Sequence, residues 1–162
     1  MQEIQTIVTP VDFSDNADMI AKSAAYTASK FGAELHLVFV VQNFEDYSGF
    51  FVPPVNLPNL EEELLKSAQQ RMDEFFAANK EAFLKVGVPA VHNKVLTGDV
   101  AEEILNYAQE ISCNLIIMGT HGYKGLERIM FGSVADKVVK KSCCPVMTIN
   151  PYRQLCEQKA KE

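Results

Sequence analysis

The chain has 162 residues, of which 48% are hydrophobic and 22% charged, a composition typical of one globular domain with a substantial core. Its formal net charge of −6 argues against a surface that follows the phosphates of a nucleic acid. No apolar run approaches the length of a bilayer span, and the N-terminus lacks the pattern of a secretory signal. We therefore expect a cytoplasmic protein that binds neither nucleic acid nor membranes.

The first part of the chain alternates between strand and helix patterns. Residues 3–11 are rich in β-branched residues and predict a strand, and Ser14 is expected to cap the following helix. Residues 17–31 place small and apolar side chains at helical spacing, and Gly32 ends that helix. Residues 34–41 predict a strand that is apolar on both faces, as in a parallel sheet covered by helices on both sides.

The segment 42–59 interrupts this alternation with aromatic residues and prolines. It is either a loop packed on its own aromatic side chains or a flap near a ligand or partner. Residues 60–86 then predict a long amphipathic helix. The apolar stripe of this helix is predicted to be core, and consists of Leu64, Ala68, Met72, Phe75, Phe76 and Phe83.

The remaining elements continue the alternation. They are a strand at 89–96, a helix at 100–111, a strand at 114–118, a helix at 133–141 and a strand at 145–150. The first of these strands is the least apolar and fits a sheet edge. The whole pattern predicts a single α/β domain over residues 1–150, with a mostly parallel five-stranded sheet between two layers of helices. Residues 151–162 are predicted to form a polar tail.

A glycine-rich loop between the fourth strand and the last helix carries the main functional signal. Its spacing is Gly119, two residues, Gly122, nine residues, then Gly132 and Ser133. Glycine lets a ligand approach the backbone closely, and Ser133 is expected to cap a helix whose free N–H groups attract phosphate. We predict that this loop holds the phosphates of a nucleotide. The alternative is a tight turn followed by an unoccupied helix cap.

Further side chains could contribute to the same site. His121, Lys124 and Arg128 add positive charge to the loop, or are solvated surface charges. Asp12 follows the first strand, where it would bind ribose hydroxyls or a hydrated metal ion, or serve only as a turn or cap residue. The backbone of Val40 could bind the edge of an adenine ring, with its side chain on the ring face or simply in the core.

The other histidines and the cysteines are predicted to be structural. His36 and His92 have no nearby cysteine or carboxylate constellation in the sequence. The cysteines form no CxxC pair and no zinc-type spacing, so we expect buried or half-buried free thiols in a reducing compartment. They are Cys113, Cys143, Cys144 and Cys156.

Together these motifs resemble the nucleotide-binding subgroup of the universal stress protein family. The resemblance extends from the first strand to residue 150 and is most specific in the glycine pattern, with further matches at 10–14, 115–122 and 132–134. It implies a flavodoxin-like or adenine nucleotide alpha hydrolase-like fold with strand order 3-2-1-4-5. It also implies binding of ATP or another adenine nucleotide, with Mg²⁺, and a homodimer formed through the last strand, residues 146–149.

The resemblance also implies a set of contacts. Pro10 and Asp12 lie beside the ribose and a metal ion, Val40 contacts the adenine, Met118 and Gly119 flank the nucleoside, and Gly122, Gly132, Ser133 and Val134 hold the phosphates. Val11 and His121, which lie within the matched motifs, complete the predicted set of nucleotide contacts.

The leading hypothesis is a regulatory nucleotide-binding protein of the stress response, in which ATP occupancy acts as a signal. A slow ATPase or phosphotransferase is the alternative, but Asp12 and His121 are the only candidate bases and no catalytic residue is predicted. A receiver domain phosphorylated on Asp12 is disfavoured because the strand ending at Leu96 is not followed by an acidic residue. A flavin carrier is disfavoured because the loop after the first strand lacks a hydroxyl-rich phosphate cradle.

Overall fold

The computed structural model describes residues 3–42, 60–120 and 132–151, and predictions that fall on other residues lie outside the described part of the chain. The elements alternate as β1 (Thr6–Pro10), α1 (Ala17–Phe31), β2 (Glu34–Val41), α2 (Leu60–Val86), β3 (Val91–Thr97), α3 (Val100–Glu110), β4 (Leu115–Gly119), α4 (Ser133–Lys141) and β5 (Val146–Ile149). The strands form one parallel sheet in the order β3-β2-β1-β4-β5. The predicted fold class and strand order are therefore confirmed.

The sheet lies between two helical layers because its central strands are apolar on both faces. Leu35 and Leu37 of β2 pack with α1 and α2 in one core cluster. Val38 and Val40 belong to the other cluster, which contains the buried residues of α3 and α4. Successive residues of a strand point to opposite faces, so one short strand supplies both cores.

The sequence-based element boundaries agree with the structure to within three residues. β3 lies at a sheet edge, as its weak apolar pattern predicts. Within α2, Ala68, Met72 and Phe83 are buried, while the other members of the predicted stripe are half-buried, so the assignment of this stripe to the core is confirmed. Among the helices of the described residues, none combines the length and apolarity that crossing a bilayer requires.

Two predicted helix caps are wrong. Asn16, without a capping side-chain bond, precedes α1, and the Ser14 hydroxyl donates instead to Asp12 Oδ1 at 2.7 Å. Ser133 is the first residue of α4, and Gly132 occupies the cap position. Gly132 has φ −58° and ψ 150°, and its N–H donates to the Thr120 carbonyl at 2.8 Å, so the cap position lies one residue earlier than predicted.

The thiols differ in exposure. Cys113 is buried and Cys144 half-buried, as predicted, whereas Cys143 is exposed because it lies in the turn between α4 and β5. Burial, followed by the nearby Cys144 thiol, raises the pKa of Cys113 to about 12, so this thiol is unreactive at neutral pH. All three are free cysteines, and Cys156 lies outside the described residues.

Candidate functional site

The crevice at the carboxyl ends of β1 and β4 is the candidate site. From β1, the chain adds β2 and β3 on one side and then crosses to place β4 and β5 on the other. Ligands of open α/β sheets bind at such a switch point, beyond the carboxyl ends of the strands. Asp12 follows β1 and Gly119 ends β4, so two sequence signals separated by over 100 residues lie at the same edge.

The backbone of Val40 is directed toward this crevice. The Val11 N–H donates to the Val38 carbonyl at 2.8 Å, which shows that Val38 turns its peptide groups toward β1. Alternate residues of a strand direct their peptide groups to the same side, so the N–H and C=O of Val40 also point to the β1 side. Pro10 is the last β1 residue in register with β2, so these groups lie beyond the end of β1. The Val40 side chain is only 7% exposed and joins the same core cluster as Met118, so its assignment to the core is confirmed.

The N-terminus of α4 begins beside the end of β4. Thr120 links the two regions, because its N–H donates to the Ile149 carbonyl at 2.9 Å while its own carbonyl accepts from Gly132. The first intrahelical bond runs from Asp136 N–H to the Gly132 carbonyl at 3.0 Å. The amide of Gly132 is therefore engaged by the protein, and the N–H groups left without an intrahelical partner at this terminus belong to residues 133–135.

The two helices on this face differ in how their N-termini are satisfied. Asp99 caps α3 by accepting from the amides of Ala101 and Glu102 at 3.1 and 3.0 Å, and pairs with Lys137 of α4 at 3.4 Å. The Glu102 amide, and secondarily the Lys137 charge, lower the pKa of the Asp99 carboxyl. Gly132 makes no side-chain cap at α4. Within the described part of the chain, no side chain caps the positive end of the α4 dipole, and such a terminus attracts anions.

Asp12 has a structural role in the turn after β1. Its Oδ1 accepts from both the amide and the hydroxyl of Ser14, at 3.0 and 2.7 Å, so the predicted turn function is confirmed. The next residue, Phe13, has a φ of 54°, a conformation that costs a non-glycine residue roughly 1 kcal/mol or more. Its ring packs against Phe39, with 4.5 Å between centroids, which stabilises the turn.

Phe13, whose ring packs on Phe39 and holds the turn after β1, was not predicted from the sequence. The sequence signal for it was an aromatic residue between two polar residues at the end of a strand. A turn exposed to solvent does not require an aromatic side chain at such a position. Of the predicted contacts, His121 and Gly122 lie outside the described residues, as do Lys124 and Arg128. The described members of the set all belong to β1, β2, β4, α4 or the residues adjoining them: Pro10, Val11, Asp12, Val40, Met118, Gly119, Gly132, Ser133 and Val134.

The prediction that His36 and His92 lack a carboxylate partner is wrong. Both approach Glu34, at 4.0 and 3.3 Å from its Oε2. The contact of His92 with the other two residues cannot be predicted from the sequence, because His92 lies on β3 and only the register of β2 with β3 places it beside His36. Glu34 and His36 lie at the start of β2 and His92 at the start of β3, at the opposite end of the sheet from Val40.

Comparison with known proteins agrees with this architecture. The profile of the Universal stress protein family matches residues 3–150. The chain belongs to the universal stress protein family. A universal stress protein of Methanocaldococcus jannaschii is 39% identical over 144 residues, which cover 88% of this chain and 80% of that protein.

Solved universal stress proteins share the fold. UspA of Lactobacillus plantarum superposes with a TM-score of 0.78 at 24% identity, covering 93% of this chain and 100% of that one. A universal stress protein in complex with cAMP has a TM-score of 0.65 at 17% identity, with coverage of 93% and 99%. One from Archaeoglobus fulgidus in complex with dAMP has a TM-score of 0.61 at 22% identity, with coverage of 92% and 100%. Some structural neighbours in this family therefore bind adenine nucleotides.

Proposed function

We propose that this universal stress protein binds an adenine nucleotide, ATP with Mg²⁺, and acts as a regulatory module rather than an enzyme. The observation that carries the proposal is the α4 N-terminus, which has no side-chain cap among the described residues and begins beside the end of β4 at the switch point of the sheet. The cAMP and dAMP complexes of family members support the choice of an adenine nucleotide.

In this proposal each part of the nucleotide meets a different element. The adenine lies against Val40 and Met118, which share one face of the sheet, and its edge pairs with the Val40 peptide groups. The ribose and a hydrated Mg²⁺ lie near Pro10 and Asp12, and the phosphates meet the first amides of α4. Nucleotide occupancy regulates only if ATP binds two conformations of the protein with different affinities.

Replacing Asp12 by Asn isolates the contribution of its charge. The amide oxygen of Asn can still accept from Ser14 and preserve the turn, whereas the negative charge that serves Mg²⁺ or the ribose is lost. A hydrogen bond to a charged group is worth roughly 1.5–3 kcal/mol, so we expect ATP affinity to fall about tenfold to a hundredfold. Isothermal titration calorimetry with Mg²⁺ and ATP measures this directly.

Asp15 provides the matched control for this experiment. It is exposed and lies three residues further along, so Asp15→Asn makes the same change in net charge and should leave ATP affinity unchanged. If Asp12→Asn binds ATP as tightly as the wild type, the role of Asp12 is rejected but the proposed function is not. Absence of binding by the wild type to ATP, ADP and AMP at millimolar concentration would reject the proposed function.

We also propose that β5 pairs with β5 of a second copy. The Pro145 carbonyl accepts from Ile116 and the Ile149 carbonyl from Thr120, so alternate residues of β5 turn their peptide groups toward β4. Thr148 therefore turns its N–H toward the outer edge. Strand edges with unpaired peptide groups are templates for pairing with another chain.

Replacing Thr148 by Pro is expected to convert the dimer to a monomer of 18.1 kDa. Proline removes an outward N–H and no bond of the β4–β5 ladder, so the fold should persist. Thr148→Val retains the N–H and should remain dimeric. Light scattering coupled to size-exclusion chromatography measures the mass, and a monomeric wild type would contradict the pairing.

A further inference from the structure

Glu34, His36 and His92 form a compact group of potential metal ligands, the Glu-His-His cluster. One ligand atom from each residue lies within 4.8 Å of those from the other two. His92 Nε2 lies 3.3 Å from Glu34 Oε2, and His36 Nε2 lies 4.0 Å from the same oxygen. The two imidazole rings lie side by side, with 4.5 Å between their centroids.

The geometry of the sheet brings these side chains together. Glu34 and His36 are two residues apart on β2 and therefore point to the same face. His92 of β3 is the register partner of His36, so its side chain projects from that face directly alongside. Since β3 is an edge strand, the cluster is open to solvent, and the side chains of His92 and Glu34 are 48% and 52% exposed.

Tyr107 of α3 orients His36, the half-buried member of the cluster. Its hydroxyl lies 2.9 Å from Nδ1 of His36, so the free ring nitrogen, Nε2, is the one directed to Glu34. A polar partner on the second ring nitrogen is the usual support of a metal-binding histidine.

We propose that the Glu-His-His cluster binds one Zn²⁺ ion. Two imidazoles and one carboxylate form a common three-ligand set for zinc, with the fourth position left to water. Ligand atoms at about 2.0–2.2 Å from zinc in tetrahedral geometry are about 3.4 Å apart. The His92–Glu34 spacing already matches this, and small movements of the exposed Glu34 and His92 side chains bring the other pairs to it.

The ligand chemistry distinguishes this ion from the Mg²⁺ that accompanies a nucleotide. Mg²⁺ prefers oxygen ligands, whereas imidazole nitrogen favours zinc and its transition-metal neighbours. The cluster also lies at the amino-terminal end of β2, away from the crevice beside Val40. The zinc site is therefore independent of the proposed nucleotide site.

A hydrogen-bonded pair of Glu34 and His92 is the simpler account of the cluster, and a zinc titration separates the two. Calorimetric titration of metal-free protein with ZnCl₂ should give one site per chain. Mutation of a residue that hydrogen-bonds a metal ligand typically weakens metal affinity 10–100-fold. Loss of a ligand itself should cost more, so we expect His92→Gln or Glu34→Gln to weaken zinc binding at least 100-fold. Tyr107→Phe, which keeps the ring, should weaken it about tenfold.

Two variants control for zinc bound elsewhere. Cys143→Ser removes the thiol that is exposed among the described cysteines, and Glu81→Gln makes the same charge change as Glu34→Gln at an exposed position of α2. Both should retain wild-type affinity, and MgCl₂ should give no heat at this site. Failure of the wild type to bind zinc, or equal binding by wild type, His92→Gln and Glu34→Gln, would overturn the proposal. Circular dichroism of the metal-free variants verifies that each is folded.

Discussion

Replacing Ser133 by Asp is expected to weaken ATP binding roughly thirtyfold without destabilising the fold. Ser133 is exposed at the first position of α4, and Gly132 rather than Ser133 occupies the cap position. An acidic residue in the first turn stabilises a helix by about 0.3–1 kcal/mol, because it complements the dipole. The same charge repels a phosphate bound at those amides by about 2 kcal/mol at partly screened contact distance, which is roughly thirtyfold in affinity.

This variant is informative because it should lower the affinity for ATP while slightly raising the stability of the fold. Calorimetry with ATP measures affinity, and urea denaturation measures stability. Adenosine, which has no phosphate, should bind the variant and the wild type equally. Ser67→Asp makes the same substitution at an exposed position of α2 and should change neither quantity appreciably. Unaltered ATP affinity in Ser133→Asp would show that the phosphates do not lie at the α4 N-terminus.

Replacing Phe83 by Ala is expected to cost about 3–5 kcal/mol of unfolding free energy. The side chain is 2% exposed and lies in the core cluster formed by α1, α2 and one face of the sheet. Its truncation removes a large apolar surface from burial and leaves a cavity that the surrounding chain fills only partly. A domain of this size has a total stability of about 5–15 kcal/mol, so the loss is a substantial fraction.

The neighbouring residue provides a matched control for the core. Leu84 is 66% exposed, so Leu84→Ala should change the unfolding free energy by no more than about 0.5 kcal/mol. Urea denaturation followed by circular dichroism gives both values, and Phe83→Leu provides a milder variant if the alanine protein is too unstable to purify. Similar losses for Phe83→Ala and Leu84→Ala would contradict the burial of Phe83. Because Val40 and Met118 belong to the opposite core cluster, ATP affinity of the folded variant should be preserved.

Several features of the fold could be predicted because they depend on the local periodicity of apolar residues along the chain. The alternation of apolar residues in strands and helices gave the bounds of β2, α2 and α4 without error. The weak apolar pattern of β3 predicted its edge position, and the strand order followed from the family resemblance. The placement of Asp12 and Gly119 at one crevice could also be anticipated, because the carboxyl ends of neighbouring parallel strands share an edge.

Other features depended on contacts between distant segments. Ser14 and Ser133 have the chemistry of helix caps, but a bond from Ser14 to Asp12 and one from Gly132 to Thr120 determine where the helices begin. The engagement of the Gly132 amide shifts the available phosphate donors to the residues that follow it.

The sequence by itself determined the layered α/β fold, the family and the elements that border the crevice, because these depend on side-chain spacing along the chain. Only the tertiary structure decided which amides remain available and that Glu34, His36 and His92 form a cluster. His92 lies 58 residues from Glu34 along the chain, and no local pattern records the register between β2 and β3 that brings them together. Strand pairing is a property of the folded sheet, and it places side by side two side chains that lie far apart in the sequence.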